Sequence, residues 1–147
     1  METETAPDLA TRINLLEPFV GGTPLFPIRL PGLPKKVKLL AKIEWQQLGN
    51  SVKARPAFNI IKQAILRGDL TENRQLLDAS SGNTGVAYGA VGAALGIPVT
   101  LCLPENASLP KKNALHAYGV EIVYTSKFEG TDGAQEKALE LAEQYPE

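Results

Sequence analysis

The chain has 147 residues, 15 basic and 16 acidic, for a formal net charge of -1, with one cysteine and one histidine. That length suits one domain burying roughly two-thirds of the surface its unfolded form exposes, and the balanced charge leaves no broad electrostatic footprint for nucleic acid or an anionic membrane. Cys102 has no internal disulfide partner and lies in the apolar run 99–103; it fits a small buried hydrophobe in a reducing, cytoplasmic setting better than a nucleophile.

Residues 1–10 are acidic and lack the basic-then-apolar order of a signal peptide. Residues 1–17 have little apolar periodicity, which predicts a loosely held arm. Gly21-Gly22-Thr23-Pro24 then punctuates the chain before two apolar segments, 25–30 and 37–43, separated by Pro31-Gly32-Leu33-Pro34. This is the pattern of a strand, a turn and a second strand. Lys35, Lys36 and Lys38 beside that turn fit a solvated edge rather than a binding patch.

From residue 51 the character becomes helical. Ala57, Ile60, Ile61, Ala64 and Ile65 make one apolar face, Pro56 belongs in the first turn and Gly68 is the stop. Strands at 75–79, 98–103 and 120–125 then alternate with helices at 83–95, 108–118 and 131–144, and Gly68, Gly96 and Gly119 close three helices. Alternation of this kind implies parallel strands with right-handed crossovers and ligands at the carboxyl ends of the strands. The predicted fold class is α/β, a parallel sheet flanked by helices in three αβα layers and preceded by a short strand pair. The sequence stops after a helix, where such a fold calls for another strand, so the rest of a larger protein is expected to be missing.

No charged residue occurs between Asp78 and Glu105, a span long enough to cross a bilayer. Asn83, Thr84, four glycines from Gly85 to Gly96, and Pro98 break it into a helix and a short strand. It is therefore the buried centre of the sheet and no membrane segment.

Within that centre, residues 77–85 run from a strand through a hydroxyl-lined turn into a helix. A helix N-terminus presents unpaired N–H groups and partial positive charge, so Ser80, Ser81, Gly82, Asn83 and Thr84 suit either a carboxylate or phosphate cradle or an ordinary capped turn. Those nine residues leave both readings open. There is no Gly-x-Gly-x-x-Gly after a strand, no Walker-type loop and no histidine pair; His116 lies beside Lys111 and Lys112 as a surface residue, and no metal site is expected. Lys53 falls at a helix start with Ser51 available as a cap. A lysine that acts as a nucleophile must shed its proton, at roughly 4 to 5 kcal/mol at pH 7, and a helix N-terminus offsets at most about 2 kcal/mol of this. Taken alone, Lys53 is a solvated surface lysine.

Four motifs change that reading. Gly22-Thr23-Pro24-Leu25, Ser51-Val52-Lys53 followed by Arg55-Pro56-Ala57, Ser81-Gly82-Asn83-Thr84-Gly85 and Leu103-Pro104-Glu105-Asn106 stand in the order and approximate spacing of the cysteine synthase family. Over residues 22–144 the chain resembles the N-terminal half of these pyridoxal-phosphate enzymes of fold type II, similar to tryptophan synthase β. The resemblance implies that Lys53 carries pyridoxal 5'-phosphate as an imine and is the catalytic residue, and that Asn83 hydrogen-bonds the cofactor's phenolic oxygen. Ser80, Ser81, Gly82 and Thr84 match the loop for the substrate carboxylate.

The implied reaction is β-replacement on an activated serine, O-acetylserine or O-phosphoserine, with sulfide, giving L-cysteine. The alternatives are cystathionine β-synthase-like chemistry, a serine or threonine dehydratase, and a non-catalytic module that uses the loop only to hold an anion or amino acid. Residues 1–45 would be an arm and strand pair packing on an absent large domain, and 46–147 a small domain carrying the lysine and carboxylate loop. The expected partners are a small amino acid, a sulfide donor and, in the full-length protein, a second copy in a homodimer. Leu48-Gly49-Asn50 and Ala54 depart from the family pattern, and the loop for the cofactor phosphate and the partner of the pyridine nitrogen lie in the half not present here. The fragment alone is expected to be inactive.

Overall fold

The computed structural model describes residues 7–146. Helix α1 (Leu9–Leu16) comes first, followed by strands β1 (Leu25–Ile28) and β2 (Leu39–Lys42) and helix α2 (Ala54–Arg67). Then β3 (Leu76–Ala79), α3 (Asn83–Leu95), β4 (Val99–Pro104), α4 (Leu109–Ala117), β5 (Glu121–Thr125) and α5 (Gly130–Gln144) alternate to the end. The strands form two sheets. β1 and β2 pair antiparallel with Phe26 opposite Ala41, and β3-β4-β5 form a parallel sheet with Asp78 opposite Leu101 and Cys102 opposite Val123.

Every residue of β4 is buried, because α3 and α5 both pack on it without touching each other. The parallel sheet therefore has helices on both faces, as the alternating pattern predicts. α3 lies at the centre of one face, against β3, β4, α1, α2 and α4. It is buried on almost every side, at Gly85, Ala87, Tyr88, Gly89, Ala90, Val91, Gly92 and Leu95, which explains why the sequence between Asp78 and Glu105 carries no charge. Gly68 and Gly96 take left-handed conformations at the ends of α2 and α3, with φ of 78° and 70°. No helix among the described residues is long and apolar enough to cross a membrane. Cys102 is fully buried, and burial pushes its thiol above the ordinary range, which keeps it neutral.

Two expectations are corrected. The loose arm predicted for residues 1–17 lies outside the described residues up to residue 6, but Leu9–Leu16 is a helix. Asp8 caps it by accepting the Thr11 N–H at 2.8 Å, and Leu9 and Ile13 are buried in the main core. Arg12 ties this helix to the rest, donating to the Leu95 carbonyl at the end of α3 and pairing with Glu72 at 2.6 Å.

The apolar face of α2 is also rotated from the one predicted. Ala54, Ala57, Phe58, Ile61 and Ile65 are buried, whereas Ile60 is 50% exposed because it stands about 100° round the helix from Ile61. Ile13 separates the arm from the core helix. Ile13→Ala is expected to lower stability by about 2–5 kcal/mol in urea denaturation, whereas a loose arm would tolerate the change within error.

Candidate active site

The turn at the carboxyl end of β3 leads directly into α3, with Gly82 as the N-cap residue in an extended conformation. The Ser80 hydroxyl oxygen accepts the Gly85 N–H at 2.9 Å, which satisfies one first-turn donor from inside the loop. Among the described residues, the N–H groups of Gly82, Asn83 and Thr84 have no such partner. Gly85 must lack a side chain, since a Cβ there would sit 2.6 Å from the Ser80 carbonyl oxygen and 2.9 Å from Leu101 Cδ1. The loop is thus pressed onto the sheet. Ser80, Ser81, Gly82 and Thr84 are half-buried and Asn83 is exposed.

Lys53 occupies the N-cap position of α2. Its N–H donates to Ser51 Oγ at 3.2 Å and its carbonyl accepts the Ala57 N–H, while its exposed side chain makes no hydrogen bond or ion pair to any described residue. Ser51 therefore braces the turn before the helix instead of occupying the cap position itself. The loop entering α2 lies against the first half of α3: a Cβ on Gly49 would be 3.2 Å from Ala87 Cα, and Asn50 follows in a left-handed conformation. α2 packs on α3, so Lys53 and the 80–84 loop belong to helices on the same face of the sheet.

A network missed in the sequence lies beside Lys53. Arg55 grips Glu44 with two bonds, Nε to Oε2 at 3.0 Å and Nη2 to Oε1 at 2.9 Å, and Nη2 also donates to Thr23 Oγ1 at 3.1 Å. Thr23 donates to Glu44 at 2.7 Å, and Gln47 donates to the same carboxylate at 2.7 Å while accepting the Gly21 N–H at 2.9 Å. Thr23 and Gln47 are buried. Arg55, then Thr23, hold the Glu44 carboxyl down at about 2, against the opposing effect of burial. Only the motif residues Thr23 and Arg55 hinted at this in the sequence; Glu44 carried no signal.

A cavity of about 570 Å³ opens elsewhere, near the amino ends of the strands, lined by Arg74, Gln75, Thr100, Glu121 and Tyr145 among others. It holds none of the predicted site residues. The helix N-terminus and the lysine are instead at an open surface.

A sequence profile described as "Pyridoxal-phosphate dependent enzyme" matches residues 16–147. The chain belongs to that family of pyridoxal-phosphate-dependent enzymes. The family's cofactor is pyridoxal phosphate, and the similar proteins include a cysteine synthase of Aquifex aeolicus, 44% identical over 131 residues, spanning 87% of this chain and 40% of that protein. A cysteine synthase B of Pseudomonas aeruginosa is 42% identical over 83% of this chain and 41% of its own length. Among solved structures, the cysteine synthase of Entamoeba histolytica superposes with a TM-score of 0.82 at 29% identity, covering 99% of this chain and 42% of that one. The chain spans about two-fifths of the length of these relatives.

The residues present offer groups of the kinds the family's cofactor needs: Lys53 has a primary amine with no hydrogen-bond or ion-pair partner among the described residues, Asn83 has an exposed carboxamide, and the start of α3 has free backbone N–H donors. The Glu44 carboxylate gives a pH test of the network. Its folded pKa of about 2 lies below the ordinary 4.5, so its contribution is present above about pH 4.5 and is lost as pH falls towards 2. In thermal melts, Glu44→Gln is expected to lower Tm by a constant amount above pH 5, and the gap to the wild type should close between pH 4.5 and 2. A gap independent of pH would mean that ionised Glu44 is not what holds the network.

Proposed function

We propose that this chain carries the lysine and carboxylate-binding part of a cysteine synthase-like enzyme acting on an activated serine such as O-acetylserine or O-phosphoserine. The observation that carries this reading is the set of free N–H groups at Gly82, Asn83 and Thr84 at the start of α3, with the unpaired Lys53 amine at the start of α2, the helix packed on it. A carboxylate placed there meets donors and the positive end of α3 together. The Ser80 O–H can donate as well, because the oxygen's bond to Gly85 uses only a lone pair.

In this proposal Lys53 holds the cofactor covalently and Asn83 hydrogen-bonds its phenolic oxygen. Bound pyridoxal phosphate acts as an electron sink for the substrate's α-carbon. Residues 80–84 would fix the substrate carboxylate, and the Lys53 amine would take up the α-proton. Acetate or phosphate leaves from Cβ with its bonding pair, sulfide adds at Cβ, and a proton returns to the α-carbon to give L-cysteine. A homodimer in a cytoplasmic setting belongs to the same reading. So does the division at residue 45: β1 and β2 expose Leu25, Phe26, Leu39 and Leu40, with Phe26 60% accessible, as a strand pair awaiting the remainder of a longer enzyme would.

The test joins this chain to the part of the Aquifex aeolicus cysteine synthase that it does not span. The hybrid is expected to bind pyridoxal phosphate with a visible absorbance band that borohydride abolishes. Lys53→Ala should eliminate the band and lower activity by about 10³-fold or more. Asn83→Ala should weaken cofactor retention about tenfold through one lost charge-assisted hydrogen bond. A band that survives Lys53→Ala would overturn the proposal.

A further inference from the structure

We infer that Arg55 and Glu44 are positioning residues for the Lys53 amine, clamping the first turn of α2 to the strand pair so that the lysine is presented from a fixed backbone. This inference rests on the proposed role of Lys53. Three features of the clamp support it.

Its geometry is directional: Arg55, two residues after Lys53, takes Glu44 in a two-pronged grip, which fixes orientation as well as distance. It also holds both strands at the open end of the pair, where Leu25 stands opposite Lys42, since Thr23 precedes β1 and Glu44 follows β2, and the buried Gln47 extends it to the Gly21 backbone. Gly21 itself, with φ of 82°, leaves room for the guanidinium; a Cβ there would come within 2.9 Å of Arg55 Nη1. Finally, the backbone between clamp and lysine is short and internally braced. The Ala54 N–H bonds the Ser51 carbonyl at 3.1 Å and the Arg55 N–H the Val52 carbonyl at 3.3 Å, so displacement of Arg55 carries Lys53 with it.

The experiment uses two readouts and one control. Lys62→Met breaks a different ion pair of α2, to Glu17 at 2.9 Å, and reports the effect of merely loosening that helix. In the 147-residue chain, Arg55→Met and Glu44→Gln are expected to speed amide hydrogen exchange at Ala54, Arg55 and Ala57, whereas Lys62→Met leaves these amides unchanged. In the pyridoxal-phosphate-loaded hybrid, borohydride trapping followed by peptide mass spectrometry should give about tenfold less cofactor on Lys53 in Arg55→Met and Glu44→Gln. Arg55→Lys, which keeps the charge but loses the fork, should fall between these and the wild type.

Unchanged exchange in the two variants, or faster exchange with undiminished trapping, overturns the positioning role while leaving the role of Lys53 intact. Equal loss of trapping in Lys62→Met also overturns it. If wild-type Lys53 is never trapped, the cofactor reading itself has failed and the positioning role falls with it.

Discussion

The close seating of α3 on the sheet is the constraint on which the site depends. Gly85 has no side chain, so the first turn of the helix can touch the Ser80 carbonyl and Leu101, and the Ser80 hydroxyl takes up the Gly85 N–H. With that donor satisfied inside, the remaining free N–H groups of the helix start are left at the carboxyl end of β3, where parallel sheets bind ligands. Packing on nearly all sides then holds the helix. α1, α2 and α4 lie against it, and Arg12 closes its far end through the Leu95 carbonyl. A platform buried in this way presents its donors with little freedom to reorient, which an anion site needs.

The lysine side of the site is organised by different forces. The strand pair β1–β2 is a two-stranded ribbon with its large apolar residues exposed, and ribbons of that size have little stability of their own. Its connection to α2 is polar, running through Thr23, Glu44, Gln47 and Arg55. The two halves of the site therefore respond to different conditions: burial of Gly85 and Leu101 is insensitive to charge, whereas the grip on α2 depends on an ionised carboxylate.

Periodic packing made most of the fold legible in the sequence. Gly68, Gly96 and Gly119 follow α2, α3 and α4 and mark where each stops, the parallel strands follow from the apolar runs between the helices, and an uncharged stretch between Asp78 and Glu105 marks the buried centre. α1 escaped because it is only two turns long and follows an acidic, polar start, with Leu15 blurring the apolar stripe. Its signal was Leu9, Ile13 and Leu16 at helical spacing behind an Asp8 cap. The rotation of α2 was hidden for another reason: Phe58 and Ile60 are both apolar, and which of them is buried is decided by the neighbouring helix. The Glu44–Arg55 grip lay beyond any local pattern, because its partners come from opposite sides of a loop with no regular period.

The motif residues of the candidate site were readable for a reason that also defines their reach. Ser51, Lys53, Gly82, Asn83 and Gly85 sit at backbone positions with narrow requirements, namely helix starts and a close approach to the sheet, so their types mark their places. What encloses a small ligand leaves no such mark. A site for a drug-sized molecule covers about 70–90% of the ligand's surface, yet the free donors and the lysine here lie at an open face, and the cavity at the amino ends of the strands contains neither. On the proposed reading, this segment contributes the amine and the anion-binding helix, and the covering wall belongs to the three-fifths of the relatives' length that the chain does not span. Binding affinity for the cofactor is then a property of the join between the two parts, while the identity of the amine that bonds it is fixed within this segment.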